Sequence, residues 1–249
     1  MAFELPGFKD FVVIIGWDNF AALVVDQLVD ANRQVVVLAD DRKTVERITS
    51  TYDAQWVMAI EMDFLNLEEI KRLPMERAFG VYVNLATDRE RLLFIYKLRK
   101  YFDDLSIISP VVNPELKESF SVHRQIFPLS RDEISAKILA SHLFERDVAT
   151  YLNELLSPAL SDEDHDIQQY RVPRDNPFCN QMYGDVFIAL KKKYNAVLIG
   201  ISKQTTRGYQ LRKNPPDETL VQEGDYLIAI LNGRSSHELD AAFAVGEGA

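Results

Sequence analysis

Cysteine is all but missing from this chain. A single one, Cys179, stands among 249 residues, so neither an internal disulfide nor a cysteine-based zinc site can form, and the lone thiol fits a reducing compartment. With no His beside it to activate it, Cys179 is read as a small, buried or partly buried apolar residue. Long apolar runs are missing too: nothing approaches the roughly 20 consecutive residues that a membrane-spanning helix requires. Met1-Ala2-Phe3-Glu4 has neither the basic start nor the apolar stretch of a signal peptide, and a soluble, cytoplasmic chain is expected. Concentrated basic charge is scarce. Against a net charge of -10, the longest tract is Lys191-Lys192-Lys193, placed as the solvated C-terminal end of a helix whose dipole it complements; nucleic acid is excluded as a partner. The four histidines, His123, His142, His165 and His237, include no i, i+4 metal pair. No nucleophile, base and orienting group fall at a workable spacing, so no catalytic residues are expected.

What is present is apolar patterning. Hydrophobic residues make up 47% and charged residues 27% of the chain, ordinary globular usage with ample material for a core. Phe11 to Ile15 is a continuous apolar run ending at Gly16, followed by Phe20, Leu23, Val24, Gln27 and Leu28 at helical spacing. The strand-turn-helix unit repeats: strands at Gln34 to Ala39, Trp56 to Ile60, Phe79 to Asn84 and Ser106 to Ser109, and helices at Lys43 to Ser50, Leu65 to Leu73 and Asp88 to Phe102. Strands without polar alternation are buried on both faces, which implies a parallel sheet covered by helices. The fold class is therefore α/β, with a Rossmann-like, doubly wound lobe over residues 10–130 and a linker over residues 1–9.

After Pro128 the pattern is helical without strands. Asp132 to Phe144 and Val148 to Leu156 form a helical hairpin over residues 131–160 that either packs back on the first lobe or makes a subunit contact. Ser161-Asp162-Glu163-Asp164 is read as a flexible, solvated linker. Residues 161–249 then form a smaller α+β lobe, with strands at Ile167 to Val172, Ala196 to Ser202, Tyr209 to Arg212 and Tyr226 to Leu231. Its helices are Tyr183 to Lys191 and one starting near Ser235.

A strand that ends in glycine and feeds a helix aims backbone N–H groups at an anion. Gly16 meets that condition, but the run Gly16-Trp17-Asp18-Asn19-Phe20-Ala21 puts Asp18 where a dinucleotide fingerprint has its close-approach glycine. A carboxylate there crowds and repels a pyrophosphate. Asp40 follows at about the 20-residue interval at which an acidic residue meets a ribose hydroxyl. Asp18, Asn19, Asp40, Asp41 and Asp63 are all placed near carboxyl ends of strands, where open α/β sheets bind ligands. Adenine nucleotide (ATP, ADP or NAD) ranks first as occupant and a divalent or monovalent cation second; a turn that has lost its ligand is the other reading.

The runs Val12-Val13-Ile14-Ile15-Gly16-Trp17, Val37-Leu38-Ala39-Asp40-Asp41 and Val81-Tyr82-Val83-Asn84-Leu85-Ala86-Thr87-Asp88 resemble the first half of RCK (regulator of potassium conductance) domains, of TrkA-N type. Tyr194-Asn195-Ala196-Val197-Leu198-Ile199-Gly200-Ile201, Leu211-Arg212-Lys213-Asn214-Pro215-Pro216-Asp217 and Gly224-Asp225-Tyr226-Leu227-Ile228-Ala229-Ile230 resemble the second, TrkA-C-type half. The resemblance spans about residues 9 to 240. It implies a ligand-sensing module, not an enzyme, at the inner face of the membrane, with a potassium channel pore or a transporter membrane subunit as partner. It implies pairing through the helical crossover and, in channels, a ring of eight; cofactor contacts fall to Gly16, Trp17, Asp18, Asn19, Asp40, Asp41, Asp63 and Asn84. Calcium-gated members carry acidic ligands after the fourth strand and within and after the fifth, and the matching positions here are Asn84, Pro110 and Val112. A free-standing subunit of a Trk/Ktr-type transporter is the alternative, and a dinucleotide-dependent oxidoreductase a more distant one.

Overall fold

A computed structural model describes residues 5, 7–121, 125–206 and 208–244. The chain divides into two compact units, Met1–Leu143 and Phe144–Ala249.

The first unit is built on a six-stranded sheet. Its strands are β1 (Val12–Ile15), β2 (Val35–Ala39), β3 (Val57–Glu61), β4 (Gly80–Val83), β5 (Ile107–Pro110) and β6 (Ile126–Leu129). They stand in the order β3-β2-β1-β4-β5-β6, and every pairing is parallel. This is the doubly wound order, in which the chain returns to the middle after β3 and leaves a crevice between β1 and β4. β2 and β4 are buried at every residue, the reason their sequences lack polar alternation. The helices are α1 (Asn19–Asp30), α2 (Arg42–Thr51), α3 (Leu67–Ile70), α4 (Asp88–Arg99), α5 (Lys117–Ser121) and α6 (Arg131–Phe144). They split the core in two. Phe11, Val13, Val36, Leu38, Val83 and Ile95 pack on one side of the sheet; Ile14, Val25, Val37, Ile48 and Tyr82 pack on the other.

Two boundaries differ from expectation. The sequence pattern gave no strand before the helical hairpin, yet Ile126–Leu129 pairs with β5 as β6. Pro128 obscures it, and proline is tolerated there because β6 is the outermost strand, where a missing N–H breaks no second ladder. The linker expected over residues 1–9 is partly core. Leu5 and Phe8 are instead 5% and 3% exposed within the first core, while Lys9 N–H donates to Gln34 Oε1 at 2.9 Å and Gln34 Nε2 to Gly7 O at 3.3 Å. Residues 1–4 and 6, and His123, lie outside the described residues.

The expected hairpin of residues 131–160 is not a unit of its own, since the division falls between Leu143 and Phe144. The second unit opens with α7 (Arg146–Leu155), whose Ala149 and Leu155 are buried. Its sheet comprises β7 (His165–Arg171), β8 (Val197–Thr205), β9 (Gly208–Lys213) and β10 (Tyr226–Asn232), in the order β7-β10-β8-β9 and antiparallel throughout. Helices α8 (Tyr183–Tyr194) and α9 (Gly233–Phe243) complete it. The core gathers Tyr170, Phe178, Leu198, Leu227 and Phe243, with Cys179 packed against it. Lys191, Lys192 and Lys193 occupy the last turn of α8, which ends in a left-handed Asn195. Ser161–Asp164 is not a flexible linker: Ser161 N–H donates to Asp164 Oδ2 at 2.9 Å and Gly233 N–H to Asp164 O at 3.2 Å.

Candidate functional site

The carboxyl edge of the parallel sheet brings the N-terminus of α1 against the end of β4. Gly16 has φ +85°, and a Cβ built on it lies 2.4 Å from the Asn84 carbonyl oxygen. Only glycine fits so close an approach in that conformation. Beyond the turn, Asp18 caps α1, its Oδ1 accepting from Ala21 N–H at 2.7 Å, so the anion that the helix N-terminus attracts is already supplied by the chain. Asp41 caps α2 in the same way, accepting from Thr44 N–H at 2.9 Å; its hydrogen bonds to Thr44 hold it below the ordinary carboxylate value of 3.8. Asp63 Oδ1 accepts from Leu65 N–H at 3.1 Å in the turn after β3. Trp17 meets Tyr52 edge-on, ring centroids 6.4 Å apart, and packs against the helix-covered face of β1 and β2. Asn19 is exposed as the first residue of α1, and Asp40 is exposed directly after β2. Of the sequence-derived residues, the structure brings Gly16 and Asn84 into contact; Asp18, Asp41 and Asp63 each have local backbone partners.

Four residues that the sequence reading did not assign to the site shape this edge: Phe20, Tyr82, Arg91 and Arg131. Arg131, at the start of α6, donates from Nη2 to Asn84 Oδ1 and to Tyr82 Oη, both at 2.9 Å. Its guanidinium carbon lies 3.9 Å from the Phe20 ring centroid, an attractive arrangement for a cation over a ring face. Tyr82 also donates to Asn84 Oδ1 at 3.2 Å. Burial raises the Tyr82 hydroxyl above its ordinary 10.0; Asp18 adds to the shift, and Arg131 and Arg91 oppose it. Arg91 is 5% exposed and pairs with Asp88 at 2.5 Å. Asp88 in turn accepts from Val112 N–H at 3.1 Å and Asn113 N–H at 2.8 Å, tying α4 to the segment after β5.

Two cavities open here. One, of about 140 Å³, is lined by Phe20, Tyr82, Ile108, Leu129, Arg131 and Ile134 among others. The other, of about 190 Å³, is lined by Arg91, Pro110, Val111, Val112, Arg131 and Asp132. Among the described residues no three His, Cys, Asp or Glu side chains come together as a metal site, and Asn84 faces a guanidinium. The second-ranked occupant, a cation, finds no set of acidic ligands there.

Comparison with known proteins bears on the first unit most directly. Residues 12–125 match the TrkA-N domain family. No curated protein matches. Among solved structures, the human SLO3 gating ring aligns with a TM-score of 0.65 at 14% identity, over 94% of this chain and 46% of that one. The GsuK RCK domain aligns at 0.44 and 16%, over 98% and 50%. The GsuK channel bound to NAD aligns at 0.44 and 16%, over 100% and 42%. This chain thus spans about half the length of those chains or less. The SLO3 match shows a shared fold extending across both units.

Proposed function

Because residues 12–125 match the TrkA-N domain family, we propose that this chain is a regulatory module that senses a ligand and gates a potassium channel or transporter. The observation that carries the ligand half of this reading is Asp40, free at the end of β2 and adjacent to a glycine turn that no other residue can replace. That pair fits the adenosine half of an adenine nucleotide. The Asp18 cap disfavours a pyrophosphate resting on α1 in the usual manner. The proposed partner is a potassium channel pore or a transporter membrane subunit; no described helix is itself long and apolar enough to cross a membrane. The second unit is proposed to be the TrkA-C-type half.

Thermal unfolding with ATP, ADP, NAD, calcium, magnesium and sodium tests the ligand. A nucleotide at about 100 times its Kd should add about 2.7 kcal/mol, and Asp40→Asn should abolish the shift. A midpoint moved by a cation alone overturns the nucleotide reading.

Pairing of two copies through α6 and α7 is the assembly half of the proposal. α6 buries none of its residues. Leu139, Leu143 and Phe144 are 65%, 89% and 73% exposed, and Val148 and Leu152 of α7 are exposed as well. Apolar surface of that extent on consecutive helices favours association. Dimers of this kind can close into a ring of eight. Light scattering at micromolar concentration should give at least a dimer; a monomer overturns the pairing.

A further inference from the structure

We infer that the 190 Å³ cavity beside β5 is a site for a small phosphate, separate from the nucleotide cleft. Two arginines and the start of a helix converge on it. Arg91 and Arg131 both line it, and each has its Nε buried without a hydrogen-bond partner. Arg91 is more than nine-tenths buried, and a buried guanidinium N–H left unmatched calls for an acceptor that the protein does not provide. The third feature is α6 itself. Arg131 and Asp132 are its first two residues; Ser130 Oγ already accepts from Glu133 N–H at 3.3 Å, which leaves the N–H groups of Arg131 and Asp132 at the positive end of the dipole without an intrahelical acceptor.

The positive charge without an ion pair at this cavity is that of Arg131. Arg91 is neutralised by Asp88, whose oxygens also accept from Val112 and Asn113. Arg131 makes no ion pair among the described residues; its partners are the neutral Asn84 and Tyr82 and the face of Phe20. Asp132 is the one other charged group lining the cavity, and its carboxylate opposes an anion. The volume admits inorganic phosphate or a small phosphomonoester. Guanidinium forks match phosphoryl oxygens in geometry as well as charge. A phosphate held between Arg91 and Arg131 would bind the start of α6 to the segment after β5, so occupancy bears on the helix that leads out of this unit.

The test is thermal unfolding of the full chain in increasing sodium phosphate against sodium chloride of matched ionic strength. Phosphate stabilises proteins generically by exclusion from their surface, but that effect is linear and blind to Arg131. The wild type should show a saturable rise, Arg131→Gln only the linear part, and Asp132→Asn saturation at about three- to tenfold lower phosphate as a competing charge is removed. Asp132 is exposed, so that variant remains informative if Arg131→Gln folds poorly. Asp40→Asn should leave the phosphate response intact while abolishing the nucleotide response. Glycerol 3-phosphate distinguishes the source: tighter saturation than inorganic phosphate identifies a monoester, and weaker saturation identifies the free ion. Identical linear rises in wild type and Arg131→Gln, an unchanged half-saturation in Asp132→Asn, or loss of the phosphate response in Asp40→Asn would each overturn the inference.

Discussion

In the first unit Arg91, buried at the carboxyl edge of the sheet, keeps an Nε without a partner, whereas in the second the most deeply buried carboxylate is saturated from every side. Asp225 is 1% exposed. It accepts from Lys203 Nζ at 2.5 Å, Gln222 N–H at 2.7 Å and Gln204 N–H at 3.0 Å. Lys203 Nζ in turn reaches Leu220 O at 2.8 Å and Gln222 Oε1 at 3.0 Å. The cluster fastens β8 to the turn before β10, and Lys203 and Gln222 also line a cavity of about 520 Å³. Arg91 and Arg131 do similar fastening between α4, β4 and α6, but each keeps a buried Nε without an acceptor. The difference separates a polar cluster whose members satisfy one another from one that keeps N–H groups without acceptors.

The largest effect that would break this contrast is the loss of Asp225. Asp225→Ala leaves the Lys203 ammonium buried without its counter-charge, and breaking a buried pair from one side costs about 3–5 kcal/mol. Urea unfolding followed by hydrogen exchange should place that loss in peptides of the second unit and leave the first unit protected. A cost below about 1 kcal/mol would show that the saturated cluster contributes no more than a surface ion pair.

Next in size is the pair of glycines. Gly16→Ala forces a side chain into a left-handed conformation and onto the Asn84 carbonyl, for about 3 kcal/mol. Gly208 has φ +109° with no atom within 4 Å of a built Cβ, so Gly208→Ala carries the conformational strain alone, about 1 kcal/mol. Equal losses would mean that the approach of β4 to the Gly16 turn relaxes freely, and the crevice would then not be rigid.

The same contrast explains what the sequence revealed. Strand-turn-helix order was legible because β1 and β2 are uninterrupted β-branched runs, and Gly16 and Asp40 could be placed from that order alone. β6 was hidden because Pro128 breaks its pattern, and Leu5 and Phe8 because a segment that short has no period to read. Asp18 and Asp41 illustrate a different limit. A carboxylate at a helix N-terminus is equally suited to capping and to ligand contact, and the residue type does not say which. Arg131 was beyond reach: it meets Asn84 across 47 positions of sequence, a separation that only the parallel topology closes.

The smallest effects concern pH, and they have opposite signs in the two units. Burial raises the Asp88 carboxyl, but Asn113 and Val112 N–H groups and Arg91 more than offset it and hold it below its ordinary 3.8. A carboxyl depressed by folding contributes stability that is present above the unfolded pKa and lost as pH falls through the folded one. Asp240 behaves in reverse. Its Oδ1 is buried without a hydrogen-bond partner, and burial, opposed by Tyr170 and His237, raises it above 3.8. A carboxyl raised by folding contributes stability below its unfolded pKa and loses it as pH rises through the folded value. Asp240→Asn should therefore stabilise the second unit at pH 7 and have little effect near pH 3. Asp88→Asn should destabilise the first unit at pH 7 and flatten its loss of stability toward acid. Hydrogen exchange at several pH values reads both units in one sample. If both substitutions shift stability in the same direction at neutral pH, the carboxylates of the two units do not differ in the way their surroundings dictate.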